Sequence, residues 1–564
     1  MRRWFSAQND ERSSVESIDA CGGPTIKSFF VYSPVLEVKD RSEEFLASAE
    51  DDDSRTAQAK LIYYYPSREH SAIEQRTQAS LIEGVVHFAQ AFRNDGDEDD
   101  DVDLITTRDL AISVKQVEKD IWFTLVVQRC PLRGADSSQS IPSSPEGASN
   151  AETQRQHQTR CVQSHEIDED PHLSGPLLQA VLSNAHEVFT LLHGPMREFL
   201  DVGNDRASSI SALVGLMDDF IPSYMEVVGY GPLGLFNELT GFSYAPVERN
   251  TLVLIQAMLL SLKEKHPDII ASAVLFDAHL LHSSIPLEDM KILYSYIVST
   301  SIIGFRSDTP TTIVSSTKLC EPPYEGSDER SKCFAKSNYV TEDMADGEAG
   351  TYLFGPDRGS ADGGYIPMVH LPSLGRGRLV SLLYHGLMFV LVLSPTPSKE
   401  SDAELFAALQ QWVSESKSVS QVAHLVRQQF DQAMSVPDDS KFVYANNTNH
   451  ALRVSNDGAA SLSDDAPTAL IGNESSPEDL VLFSTLRQIM VNDEQSLDAP
   501  GLCRGSRCRE ICYKSPENGW VCAKASPLNR EFYLMLAKPA MPLVRCQEEC
   551  ERFARTHLSN IFTM

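Results

Sequence analysis

Positive charge is scarce in this chain: 48 Lys and Arg stand against 79 Asp and Glu over 564 residues, a formal net charge of −31. A polyanion such as nucleic acid finds little attraction in such a molecule, and no nucleic-acid partner is expected. Long apolar runs are missing too. The strongest, Leu379 to Leu393, is interrupted by His385 and Gly386. It falls short of the roughly 20 residues a membrane-spanning helix needs and reads as a buried hairpin. Met1 to Ala20 has Arg2 and Arg3 but no apolar h-region, so the expectation is a chain that begins in the cytosol, with reduced thiols.

Catalytic and cofactor signatures are absent as well. No G-x-x-x-x-G-K-[ST] occurs, which speaks against a phosphate-binding loop, and no G-x-S-x-G offers a nucleophile elbow. Gly229-Tyr230-Gly231-Pro232-Leu233-Gly234 satisfies G-x-G-x-x-G, yet it follows a helical pattern where a dinucleotide site needs a strand, so it reads as a linker. His186-Glu187 opens like H-E-x-x-H, but Thr190 takes the place of the second histidine, and His186 is expected on a helix surface. Six of the 11 cysteines, Cys503, Cys508, Cys512, Cys522, Cys546 and Cys550, crowd the C-terminal region without any C-x-x-C. Their crowding raises a zinc site as the alternative, but the spacing lacks the paired knuckles of structural zinc sites, and they are taken as buried small hydrophobes. No catalytic residue, cofactor or metal is therefore expected.

What is present is a run of α/β patterning. Phe29-Phe30-Val31-Tyr32 and Ile62-Tyr63-Tyr64-Tyr65 are aromatic and β-branched strands, each stopped near a proline. Ile73, Thr77, Leu81, Val85, Phe88 and Phe92 then recur three and four apart, the pattern of a helix covering a sheet. On the flank, Gln75, Ala79, Ile82 and Val86 form a second, smaller strip, which is either the edge of a wide core stripe or a partner surface. Further strands are expected over Leu104 to Glu118 and Ile121 to Val127, and helices over Leu177 to Leu192, stopped by Gly194-Pro195, and over Ile210 to Tyr224.

A second α/β region begins near Gly229, with a helix over Thr251 to Glu264, strands over Ile269 to Phe276 and Leu280 to Ser284, and a helix from Met290 whose first turn carries Glu288 and Asp289. One long helix is expected over Ala403 to Met434. A third region opens at Phe442-Val443-Tyr444-Ala445-Asn446-Asn447 and ends with strands over Trp520 to Lys524 and Glu531 to Leu536 and a closing helix. Ser-, Pro- and acid-rich stretches between these read as insertions.

The opening strings, with Glu83-Gly84-Val85-Val86-His87-Phe88, resemble the vacuolar fusion CCZ family, and so do Leu275-Phe276-Asp277 through Met290-Lys291-Ile292-Leu293-Tyr294 and the Phe442 string. The resemblance implies an α/β (α+β) fold of three longin-like domains, each a mainly antiparallel sheet packed with helices and separated by disordered inserts. It places a flexible N-terminus at 1–24 and a first domain at 25–227 with an insert near 130–172. A second domain follows at 228–436 with an insert near 303–350, and a third at 437–564 with an insert near 454–476. It also implies a regulatory protein without covalent chemistry, one half of a heterodimer with a MON-type longin subunit. The pair would act as a guanine nucleotide exchange factor for a Rab GTPase of the late endosome or vacuole, recruited from the cytoplasm to that membrane. Gln75, Ala79, Ile82 and Val86 become the candidate partner and GTPase contacts. The alternative is a longin scaffold without exchange activity in a trafficking or organelle-biogenesis complex, since fold does not dictate function.

Charge adds one more candidate. From Gly501 to Met564 ten Lys or Arg face six Asp or Glu. Arg504, Arg507 and Arg509 are the candidate contacts to endosomal phosphoinositides, or else part of an ordinary solvated face.

Overall fold

The computed structural model describes residues 25–90, 104–128, 175–306, 339–341, 351–353, 366–396, 402–434, 440–454, 482–490 and 509–557, apart from short gaps inside them. The inserts expected near 130–172 and 454–476 lie outside these residues, as does most of that near 303–350.

The first sheet is built from β1 (Thr25–Tyr32), β2 (Leu61–Tyr65), β3 (Leu104–Thr106), β4 (Leu110–Glu118) and β5 (Ile121–Gln128), in the order β2-β1-β5-β4-β3. All of its pairings are antiparallel. Helices α1 (Glu43–Leu46) and α2 (Asp52–Lys60) lie in the first crossover, and α3 (Ala72–Gln90) lies in the second. Both faces of the sheet are apolar, because alternate residues of each strand point to opposite sides. Phe29, Val31, Phe123 and Leu125 face one core, Phe30, Tyr32, Tyr64 and Trp122 the other. Helix α3 covers the second face. The first is covered by α4 (Gly175–His193) and α6 (Arg206–Tyr230), with the short α5 (Arg197–Leu200) between them. Gly194, at φ 83°, ends α4 in the left-handed conformation that suits glycine, with its N–H on Thr190 O at 2.8 Å.

After β6 (Phe242–Ser243) come α7 (Arg249–Lys265), β7 (Ile269–Phe276), β8 (His279–Ser283) and α8 (Leu287–Arg306). Strands β9 (Tyr339–Thr341), β10 (Thr351–Leu353), β11 (Met368–Leu371), β12 (Gly375–Tyr384) and β13 (Leu387–Leu393) complete a second, seven-stranded sheet. Its order is β8-β7-β13-β12-β10-β9, with β11 also on β12. His385 (φ 49°) and Gly386 (φ 80°) join β12 to β13, a two-residue turn with both φ values positive, matching the twist of the strands it joins. Helix α7 covers one face together with α9 (Asp402–Glu415) and α10 (Lys417–Met434). Helix α8 covers the other and packs against α4, so the first two sheets share one continuous core containing Phe29, Leu178, Phe189, Leu293 and Val369.

The third sheet has β14 (Ser440–Asn446), β15 (Ala451–Val454), β16 (Arg509–Ser515), β17 (Gly519–Ser526) and β18 (Arg530–Leu536), in the order β16-β17-β18-β14-β15-β6. Helix α11 (Leu543–His557) covers one face, and short helical stretches between 482 and 490 cover the other. Counted within each region, the first and third sheets share the order 2-1-5-4-3, the third with β6 added beside its second strand, while the seven-stranded second sheet keeps its first strand between its second and its last; in all three, helix lies between the second and third strands. The expected class, three mainly antiparallel sheets packed with helices in a mixed α/β fold, is the observed one.

Several local expectations change. Leu104 to Glu118 is two strands, β3 and β4. The helix expected over Ala403 to Met434 is broken at Ser416, whose N–H still reaches Trp412 O while Val419 N starts again on Ser416 O. The insert expected at 303–350 is not wholly structureless: α8 runs to Arg306 and β9 lies within it. Residues 242–243, assigned from sequence to the second region, are the edge strand β6 of the third sheet, parallel to β15.

Candidate interaction surface

Helix α3 opens with a capping box. Ser71 N donates to Glu74 Oε2 at 2.8 Å, and Glu74 N donates back to Ser71 Oγ at 3.3 Å. Its Ala79, Ile82 and Val86 pack onto Phe30, Tyr32, Tyr64 and Trp122, with Ile82 3% and Val86 5% exposed. The opposite stripe is open: Ile73 is 68% exposed, Leu81 44% and Phe88 66%. Sequence periodicity had these two strips the other way round. The physical reason lies underneath the helix, where four aromatic side chains already fill the face of the sheet and leave room only for small and β-branched residues above them. Ala79, Ile82 and Val86 are therefore core and unreachable by a partner. Gln75 is occupied too, its Nε2 donating to Ser67 O at 3.0 Å and His70 O at 2.9 Å to close the turn before the helix.

The open stripe is spaced by eight and seven residues, which keeps it on one side of α3 over about four turns. Gly84 lies within it, exposed, and a methyl group there would meet nothing within 4 Å. The helix has little freedom to roll this stripe inward. Glu83 pairs with Lys60 at 2.6 Å, Arg76 donates to Gln58 Oε1 at 2.7 Å, and Tyr64 OH donates to Gln78 at 2.7 Å. Below them, Arg41 donates to Ala59 O at 2.9 Å and to Leu61 O at 2.5 Å, and burial pushes its guanidinium down to about 10, still charged at neutral pH. Burial, with Glu83 nearby, raises the Tyr32 phenol well above its ordinary range, so it stays protonated. The arrangement offers a firmly held apolar ridge.

Other candidates fare differently. Arg504 and Arg507 lie outside the described residues, and Arg509 begins β16. Of the remaining basic residues in this region, Lys524 pairs with Glu510 at 3.9 Å, Arg555 pairs with Glu551 at 3.1 Å, and Arg552 pairs with Glu549. Three of the basic residues of this region are thus paired with acids. Gly231 to Gly234 lie outside the described residues, directly after α6. His186 is partly exposed and engaged at its inner edge: its Nε2 lies 2.9 Å from Glu118 Oε1 and its ring stands edge-on to Phe123.

Cys522, Cys546 and Cys550 are buried in an apolar cluster, as expected, but their grouping was not foreseen. Cys503 and Cys508 lie outside the described residues, but Cys512, Cys522, Cys546 and Cys550 converge between the third sheet and α11. Linear spacing hid this, because two of the four come from neighbouring strands and two from a helix. The signal available in the sequence was the Cys546-x-x-x-Cys550 spacing alone.

Comparison with known proteins bears on the whole chain. Residues 45–194 match a family model described as the first longin domain of INTU, CCZ1 and HPS4. A vacuolar fusion protein CCZ1 homologue of Nematostella vectensis is 23% identical over 552 residues, 96% of this chain and 98% of its own. One of Oryza sativa subsp. japonica is 22% identical over 534 residues, 89% of this chain and 94% of its own. A Xenopus laevis homologue is 21% identical over 277 residues, 49% of each chain. With three mainly antiparallel sheets packed with helices, a longin match that begins in the first sheet and likeness along most of its length to proteins bearing one name, this chain is similar to the CCZ1 homologues and carries a longin domain of the kind they share.

Proposed function

We propose that the protein serves vacuolar fusion as the CCZ-type half of a heterodimeric guanine nucleotide exchange factor, acting on a Rab GTPase of the late endosome or vacuole. The relatives are named as vacuolar fusion proteins, which supports the process. The observation that carries the heterodimer is the ridge Ile73, Leu81 and Phe88 on the first sheet's outer helix. A contiguous apolar stripe on an otherwise acidic molecule fits a second longin subunit better than water. This ridge replaces the Ile82 and Val86 flank as the partner surface.

Exchange needs no covalent step. A factor that binds the nucleotide-free GTPase more tightly than the loaded form weakens nucleotide affinity by the same ratio, as linkage requires. The GTPase switch segments are the two-state element that such binding biases. Membrane recruitment, with phosphoinositide headgroups as the anionic ligand, belongs to the same proposal; no described helix is long and apolar enough to cross a bilayer.

The deciding experiment is release of fluorescent GDP from a panel of Rab GTPases by this chain alone, by its co-purified longin partner alone, and by the two together. Accelerated release by the pair, and by neither subunit singly, is the expected outcome. A stable pair that accelerates release from no Rab favours the scaffold reading, which the shared first-longin model of three differently named proteins keeps in view.

A further inference from the structure

Helix α11 carries Cys546 and Cys550 one turn apart on the face it turns to the third sheet. Beneath it, Cys512 of β16 and Cys522 of β17 are direct cross-strand partners, so their side chains leave the sheet on the same side. The Sγ of Cys522 lies 3.1 Å from that of Cys546 and 3.5 Å from that of Cys512, and these three sulfurs all lie within 4.8 Å of one another. Cys550 interacts with both Cys522 and Cys546, and all four are free thiols. A small hydrophobe buried for packing alone has no reason to seek three others of its kind. The rest of this core is aromatic and aliphatic, with Phe442, Trp520, Leu534 and Phe553 around the sulfurs.

Four sulfurs about 2.3 Å from a tetrahedral zinc ion stand about 3.8 Å from each other, and the sulfurs of Cys512, Cys522 and Cys546 are already spaced around that value, with Cys550 in contact with the latter two and needing to close on Cys512. Two ligands from a pair of strands and two from one turn of a helix is a division of labour used by small zinc folds, and a three-residue spacer on the helix lies within their usual range. A zinc ion held by four thiolates carries a net charge of −2, and two lysines are placed to offset it. Lys524 lies two residues beyond Cys522 and Lys514 two beyond Cys512, on the same face of their strands. Lys514 Nζ sits 5.6 Å from the Trp520 ring centroid, and Lys524 pairs with Glu510 at 3.9 Å. Cys522, Cys546 and Cys550 are buried while Cys512 is partly open, which leaves a route for the ion to enter.

We propose that Cys512, Cys522, Cys546 and Cys550 bind one zinc ion in a closed structural site that fastens α11 to the β16–β17 strand pair. With four protein ligands no position is left for substrate, so the ion acts on folding.

The test is elemental analysis of the full chain purified in reducing buffer without chelator, with melting temperature read before and after a tight zinc chelator. Close to one zinc per chain is expected, with a fall in melting temperature on its removal. Cys522→Ser and Cys546→Ser should lose the zinc, while Cys503→Ser and Cys508→Ser keep it. Should the first two variants fail to fold, cobalt reconstitution of the unmutated chain decides, since a tetrahedral tetrathiolate centre has characteristic thiolate-to-cobalt bands. Zinc far below one per chain with an unmoved melting temperature overturns the proposal. So does non-reducing mass spectrometry that finds these cysteines paired as disulfides, or a cobalt spectrum without thiolate bands.

Discussion

Glu118 shows how one side chain ties distant parts of the first sheet together. Placed at the end of β4, it accepts Met196 N at 3.0 Å and Arg197 N at 2.9 Å as well as His186. Burial pushes its carboxyl up, but the hydrogen bond from His186 and the two backbone N–H groups outweigh this, and the group sits below the usual range. A depressed folded value contributes stability that is present above the unfolded glutamate value, roughly 4.3, and lost as pH falls through the folded one. Glu118→Gln should therefore flatten the acid limb of stability against pH. Glu118→Ala, which leaves the two backbone donors without their acceptor, should cost about 1–3 kcal/mol, read from chemical denaturation at neutral pH. An acid limb unchanged in Glu118→Gln would show that the carboxylate is solvated in solution. None of this was legible in the sequence, where His186 and Glu118 are 68 positions apart and only the failed H-E-x-x-H frame drew notice.

Among elements, α3 is the instructive case. Its existence, its capping box and its two apolar strips were all readable, because helical period and cap chemistry are local properties. Which strip turns inward was not, because that depends on the volume already filled by Phe30, Tyr64 and Trp122 on three other strands. The reversal makes a sharp contrast between variants. Ile82→Asp buries a charge among aromatics and should cost on the order of 4 kcal/mol or more, with loss of cooperative unfolding. Ile73→Asp with Leu81→Asp should leave the melting temperature within a few degrees of the parent and abolish co-purification with the proposed longin subunit. Retained co-purification would move the partner surface off this helix. The same division between local and distant information explains the rest. The His385-Gly386 turn and the Gly194 stop declared themselves by residue type, whereas the gathering of four cysteines required the register of β16 on β17 and the seat of α11.

For the whole molecule, the sharing of α4 between two sheets matters most. Its Leu178, Val181 and Phe189 lie in one core with residues of α8 and β11, and Lys291 of α8 reaches Glu187 at 3.6 Å. Across this junction, Ser295 Oγ donates to Asn184 Oδ1 at 2.6 Å, and Asn184 Nδ2 donates to Tyr224 OH at 3.1 Å. The division at 227/228 read from sequence passes through this common interior. A fragment of residues 25–227 should accordingly lose much of the covering of α4 and melt well below the full chain, with a broad transition. A fragment as stable as the parent, by differential scanning calorimetry, would show the first sheet to be independent. The expectation of three sheets came through because each region repeats the same alternation of strand and helix signals, and their mutual packing did not, because helix exteriors look alike in sequence whether they meet water or another helix.

The pairing of first strand with last also dictates a timetable for biosynthesis. In every sheet the first strand ends up beside the last, so nothing closes on the ribosome until the final strand has emerged. For the third sheet, β14 with its Phe442 and Tyr444 waits for β18, from Asn446 until Arg530 and beyond. At about 5–20 residues per second that delay is on the order of several seconds, long enough for an aromatic strand paired on one edge only, with β15, to meet a chaperone or another nascent chain. The inserts between second and third strands lengthen this interval while adding little to closure entropy, which grows only with the logarithm of loop length. Insertion in this fold is thus nearly free at equilibrium and costly in time, and its burden falls on the cell that makes the protein rather than on the folded state.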